Sequence, residues 1–146
     1  MPAGGFLTDE IREAGTRVGF ALVTLDGRRT TLAHLDRGTG PRVGKYRVNL
    51  EALNRVGVPA IREAVRADRL VVIDEIGKME MTAPAFHEAV EEAIQSPATV
   101  LGTILMAPHL WADRIKANPA VRVFEVNAAN RESLPGLLAD FFRKTS

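Results

Sequence analysis

Leu70-Val71-Val72-Ile73-Asp74-Glu75 is an unbroken aliphatic run that ends abruptly in two acids. Consecutive apolar residues without alternation describe a strand buried on both faces, as in a parallel sheet covered by helices. In such sheets ligands bind beyond the carboxyl ends of the strands. Two readings fit acids at that point. In a Walker B arrangement the first carboxylate holds Mg2+, usually through water, and the next glutamate orients or deprotonates the water attacking a γ-phosphate. Alternatively, both acids simply leave a buried strand for solvent or face a helix N-terminus.

Outward from this strand, apolar runs alternate with segments of helical periodicity, the pattern of parallel strands joined by crossover helices. Strands are expected at residues 69–73, 99–105 and 121–126. Between the first two, Phe86, Ala89, Val90, Ala93 and Ile94 form one helical stripe, with Thr82 as N-cap and Pro84 in the first turn. A helix is expected around residues 110–116. A last one carries Leu134, Leu137, Leu138 and Phe141 on one face, with Asn130 capping its start. Toward the N-terminus, residues 18–25 and 28–35 flank Asp26-Gly27, a hairpin pair suited to positive φ. A glycine- and proline-rich stretch at 38–44 and a short strand at Tyr46–Val48 follow, then helical pieces broken at Gly57-Val58-Pro59. The expectation is one α/β domain over residues 1–146 with a β-hairpin excursion near its N-terminus.

Bulk properties exclude more than they select. The 146 residues are 46% hydrophobic and 25% charged, which suits one globular domain and neither a disordered nor a membrane chain. A net charge of +1 is too small for the basic footprint of a dedicated nucleic-acid binder. With no cysteine, thiol nucleophiles, zinc thiolates and disulfides are excluded, and a cytoplasmic location is the simplest expectation. The start carries no signal-like or membrane-spanning run. The three histidines lack metal-ligand spacing.

Around the acid pair the sequence reads Asp74-Glu75-Ile76-Gly77-Lys78-Met79-Glu80, and here it resembles the THEP1 family of nucleoside-triphosphatases, also called cancer-related NTPases. Further segments match in family order. They are Gly5-Phe6-Leu7-Thr8-Asp9-Glu10-Ile11-Arg12, Arg17-Val18-Gly19-Phe20, Thr24-Leu25-Asp26-Gly27, Pro41-Arg42-Val43-Gly44-Lys45-Tyr46, Leu101-Gly102-Thr103-Ile104 and Asn130-Arg131. The resemblance implies a RecA-like P-loop NTPase fold with helices on both faces of the sheet. It also implies slow, base-tolerant, Mg2+-dependent hydrolysis of nucleoside triphosphates. Asp74 would hold the metal through water and Glu75 would act on the attacking water.

Five further positions have a functional and a plain reading. Lys78 could offer charge to a phosphate, or be a solvated loop lysine. Thr103 could bond the γ-phosphate or the water, or reflect strand propensity alone. Arg131 could stack on a base or pair with phosphate, or sit on the surface at a helix end. Arg42 and Lys45 would form a basic loop near the nucleotide, or a solvated turn. The segment Thr39–Tyr46 mimics the end of a phosphate-binding loop, but Thr39 replaces its first glycine and Tyr46 its small hydroxyl.

One departure accompanies the resemblance. The family opens with a strand, a G-x-x-x-x-G-K-[ST] loop and a helix, and this strand-loop-helix unit does not precede Gly5. Without the loop's backbone N–H groups, lysine and hydroxyl, phosphate binding should be impaired. The alternative is a non-catalytic remnant that acts as a protein-binding module. Nucleic-acid binding through Arg28, Arg29, Arg42, Lys45 and Arg47 is the disfavoured reading. The Asp74 strand should also lose a neighbour, leaving backbone groups unpaired and inviting self-association through an incomplete sheet.

Overall fold

In the computed structural model, which describes residues 2–145, seven strands form one mixed sheet in the order β4-β5-β3-β2-β1-β6-β7. The Asp74 strand is β6, Leu70–Ile76. It runs parallel to β1 (Ala3–Glu13) on one side and to β7 (Val100–Ile104) on the other. The expectation of unpaired backbone on this strand is therefore corrected. β1 takes the place beside it, with Ala3 opposite Leu70 and Phe6 opposite Ile73. In the parallel half the one-sided strand is instead β7, which pairs only with β6 in the sheet.

β1 joins the parallel half of the sheet to an antiparallel half. It turns at Ala14-Gly15, both at positive φ, into β2 (Thr16–Thr24). β2 turns at Asp26-Gly27 into β3 (Arg29–His34), as the hairpin pair implied, with Gly27 at φ 97°. Short strands β4 (Arg42–Val43) and β5 (Tyr46–Val48) complete this half. β1 itself was not foreseen, because its two glycines and its polar outer half break the apolar pattern. Gly5 is what lets β1 lie against β6. Its φ is 102°, and a Cβ there would meet the Val72 carbonyl oxygen at 2.0 Å.

After β5 the chain is helical without interruption through α1 (Leu50–Ala52), a π turn (Leu53–Gly57) and α2 (Val58–Arg66). The expected break at Gly57-Val58-Pro59 does not occur. Pro59 sits in the first turn of α2, where its fixed φ is suited to helix. α3 (Pro84–Gln95) buries Phe86, Ala89, Val90 and Ala93, as its stripe implied. Thr82 does not cap it. Ala83 occupies the N-cap position, and the Thr82 hydroxyl donates to the Met79 carbonyl at 2.7 Å.

Phe6, Leu22, Leu32, Ile61, Val71, Ile73 and Phe86 are each at most 1% exposed and form the centre of a single core. Each such side chain contributes roughly 1.5–3 kcal/mol by leaving water. Phe86 is the hub, with ring centroids 6.3 Å from Phe6 and 6.1 Å from Trp111 of α4 (Leu110–Ala117). Ile73 and Ile76, on either side of the acid pair, belong to this core.

The C-terminal part departs from expectation. Residues 121–126 alternate like a strand but pair with nothing in the sheet, and Val123 and Val126 are 50% and 62% exposed. Periodicity offers a strand a face, and only a neighbouring ladder can satisfy its backbone. Asn130 does not cap the last helix, α5 (Leu134–Thr145), with its side chain. Its Oδ1 accepts from the Asn127 N–H at 2.8 Å and its Nδ2 donates to the Glu125 carbonyl at 2.7 Å, closing the turn before the helix.

Candidate functional site

β6 and β7 run parallel, so their carboxyl ends open on the same edge of the sheet. There the Thr103 hydroxyl donates to Asp74 Oδ1 at 2.7 Å. Ile73 before the pair and Ile76 after it are buried, 0% and 5% exposed, and anchor both ends of the acid step in the core. Between them Asp74 is half-buried and Glu75 exposed. Partial desolvation, reinforced by the neighbouring Asp74 charge, raises the Glu75 carboxyl above the ordinary glutamate range.

Gly77 follows, and it is placed between two carboxyl groups. A Cβ on it would lie 2.9 Å from Glu75 Cδ and Oε2, and 3.0 Å from Glu80 Oε2. Glu80 opens a 3-10 turn, Glu80–Thr82, and is only 3% exposed. Burial pushes its carboxyl up to about 7. The nearby backbone of Glu80 and Gly77 opposes that rise, while the charges of Glu75 and Asp74 add to it.

Glu75, Lys78 and Glu80 form the polar side of a cleft of about 330 Å3. Thr8, Phe20 and Val43 line it from the antiparallel half of the sheet, and Leu105 and Met106 from the segment after β7. A cleft with a mainly apolar wall and a few convergent polar groups suits a small ligand.

Asp74, Glu75, Lys78 and Thr103 are thus brought to one end of β6 and β7. The remaining expected residues are not. Arg42 lies on β4 and Lys45 in the turn after it, its Nζ 5.7 Å from the Tyr46 ring centroid. Their neighbour Val43 lines the cleft, but they do not. Arg131 belongs to the turn before α5, its N–H donating to the Asn127 carbonyl at 3.0 Å. Gly77 and Glu80 were missed as site residues. In sequence Glu80 reads as an ordinary acid ahead of a helix start, and the signal that marks it is a third acid within seven residues of one strand end.

The donor set at the strand ends is oxygen only, a carboxylate and a hydroxyl, as the hard cation Mg2+ requires. No group of three or more His, Cys, Asp or Glu side chains is arranged to enclose a metal among the described residues. No helix among the described residues is long and apolar enough to cross a membrane.

An inner parallel strand ending in acids, with a strand hydroxyl beside them and helices packed on the sheet, belongs to the P-loop nucleoside-triphosphatase class of α/β fold. The NTPase family model matches residues 1–138, and the chain belongs to that family. It is 47% identical over 132 residues to nucleoside-triphosphatase THEP1 of Thermotoga petrophila, covering 90% of this chain and 74% of that one. To the THEP1 of Methanosarcina barkeri it is 42% identical over 142 residues, covering 97% and 80%. Two solved structures share the fold. The crystal structure of THEP1 from Aquifex aeolicus superposes with a TM-score of 0.82 at 27% identity, covering 93% of this chain and 81% of that one. The solution structure of a human cancer-related nucleoside triphosphatase gives 0.77 at 35% identity, covering 95% and 81%.

Proposed function

We propose that this chain hydrolyses nucleoside triphosphates to diphosphates and phosphate, with Mg2+ and with little preference among bases. The observation that carries the reading is the Thr103 hydroxyl on Asp74, with Glu75, next in the chain, lining the cleft. Mg2+ supplies neutralisation of the phosphate charge when bound, and Asp74, held by Thr103, is the group that would keep it through water. Glu75, as carboxylate, accepts a proton from the attacking water. A base whose pKa is raised toward the working pH does this better than an ordinary glutamate. Lys78 faces the same cleft and offers its ammonium to the charge on the transferring phosphoryl oxygens. Arg42, Lys45 and Arg131 lie outside the cleft and would meet a nucleotide only at its periphery.

Among the described residues Lys78 is the one cation that lines the cleft. Since Asp74 and Glu75 repel phosphate, affinity for free nucleotide should be weak and turnover slow, the impairment anticipated from the sequence. The test is phosphate release from ATP, GTP, CTP and UTP with and without Mg2+, alongside Glu75→Gln. Release that is Mg2+-dependent, similar across bases and lost in the variant supports the reading. Release that survives in the variant sinks it.

A second reading, a protein-binding module without catalysis, draws on the one-sided β7 and on the exposure of Val123, Val126 and Leu137 beyond it. It includes self-association through that edge. Sedimentation across a concentration series tests it, and a chain that stays monomeric, together with Glu75-dependent turnover, rules it out.

A further inference from the structure

Glu80 is a carboxylate that folding alone does not require. It is 3% exposed, and an apolar side chain would fill the same space without a desolvation cost. What distinguishes its position is Gly77, which has the Glu75 carboxyl 2.9 Å and the Glu80 carboxyl 3.0 Å from the point where a side chain would begin. The two acids approach the same backbone atom, one from the exposed side and one from within. The Glu80 carboxyl thus lies against the Gly77 backbone, so that the two ends of the turn that contains Lys78 meet. The Met81 N–H closes the same turn on the Gly77 carbonyl at 3.0 Å. Upstream, Ile76 is buried, so the segment from Glu75 to Glu80 is fixed at Ile76 and at Glu80. Glu75, Lys78 and Glu80 all border the one cleft.

We propose that Glu80 is a positioning residue. Its buried carboxylate ties the Gly77–Glu80 turn from beneath and thereby aims Glu75 and Lys78 into the cleft. The inference rests on the reading of Glu75 as the group that takes the proton from water. Glu80 is only 3% exposed at the edge of the cleft and touches no reacting atom in this scheme. Its removal should therefore act on the rate of the chemical step and on the motion of the turn, and leave the floor of the sheet intact.

The experiment compares the full chain with Glu80→Ala and Glu80→Gln by amide hydrogen exchange and by steady-state phosphate release from Mg-ATP. In Glu80→Ala the Gly77 amide should exchange about tenfold faster while Val72 and Ile73 keep their protection. The same variant should lose kcat by about tenfold with KM changed by less than about twofold, and Glu80→Gln, which keeps an acceptor oxygen, should recover most of both. Unchanged exchange at Gly77 in Glu80→Ala overturns the proposal whatever the activity. So does loss of protection at Val72 and Ile73 to the same degree, which would make Glu80 a support of the sheet only. A fall in KM-dependent binding with kcat intact overturns it as well. If the unmodified chain releases no phosphate, the reading of Glu75 fails first, and that failure is visible in the parent protein before any variant is compared.

Discussion

The Thr103 hydroxyl donates to Asp74 Oδ1 at 2.7 Å, so one strand fixes the rotamer of the acid that ends its neighbour. Thr103→Val keeps the β-branched shape and removes the donor. A hydrogen bond to a charged group is worth about 1.5–3 kcal/mol, so the Mg2+ concentration for half-maximal phosphate release should rise by about tenfold or more. Thermal stability should change little, because Thr103 is exposed. A Mg2+ titration of turnover, alongside a melting curve, checks both.

Glu75→Gln should lower kcat by about 100-fold or more, since a general base typically contributes 10²–10⁴, with nucleotide affinity retained. In the parent protein, desolvation and the Asp74 charge raise this carboxyl above 4.5. Turnover should therefore fall on acidification with a limb above that value. A pH–rate profile in which activity persists down to the ordinary carboxylate range would remove Glu75 from this role.

Gly77→Ala places a methyl 2.9 Å from the Glu75 carboxyl and 3.0 Å from Glu80 Oε2. Glu75 is exposed and can swing away, whereas Glu80 is enclosed and cannot. The expected result is a modest stability loss, about 1 kcal/mol, with turnover down by about tenfold because Glu75 is displaced. Urea unfolding and phosphate release on the same preparation separate the two effects.

Glu80 gives stability a pH signature. Its carboxyl goes from an ordinary 4.5 in the open chain to about 7 when folded, chiefly through burial. The folded protein thus binds that proton more tightly. The stability it confers is complete below about pH 4.5 and is lost as pH rises through about 7, by up to about 3 kcal/mol. Glu80→Gln carries no such dependence. Between about pH 4.5 and 8 the difference in unfolding free energy should therefore move in favour of the variant by up to that amount. Parallel urea titrations at the two ends of this range measure it, and a constant difference would show that Glu80 titrates normally.

Much of this site could be read from residue order because it lies on one continuous piece of chain. The run from Leu70 to Glu75 declared both the buried strand and the point where it meets solvent, and the stripe from Phe86 to Ala93 declared the helix beneath it. Thr103 was legible because parallel strands bring their carboxyl ends together. What failed depended on partners. The strand at Ala3–Glu13 is specified by the close approach of Gly5 to Val72, which no periodicity encodes. Residues 121–126 carry the alternation of a strand and lack the ladder that would make them one. Glu80 drew no reading of its own because burial is a property of the packed turn rather than of its own neighbours in sequence. Arg42, Lys45 and Arg131 do not line the cleft, and their part in nucleotide binding stays an expectation.

The one-sided pairing of β7 divides its own backbone in two. The Val71 N–H bonds the Thr99 carbonyl, which sets the phase along the strand. By alternation, Leu101 and Thr103 direct their N–H groups toward β6, and Val100, Gly102 and Ile104 direct theirs away. In heavy water these five consecutive residues become a two-speed clock, slow and fast by turns. Any molecule that settles along the outer side, whether a peptide or a second copy of the chain, would announce itself by stopping only the fast hand.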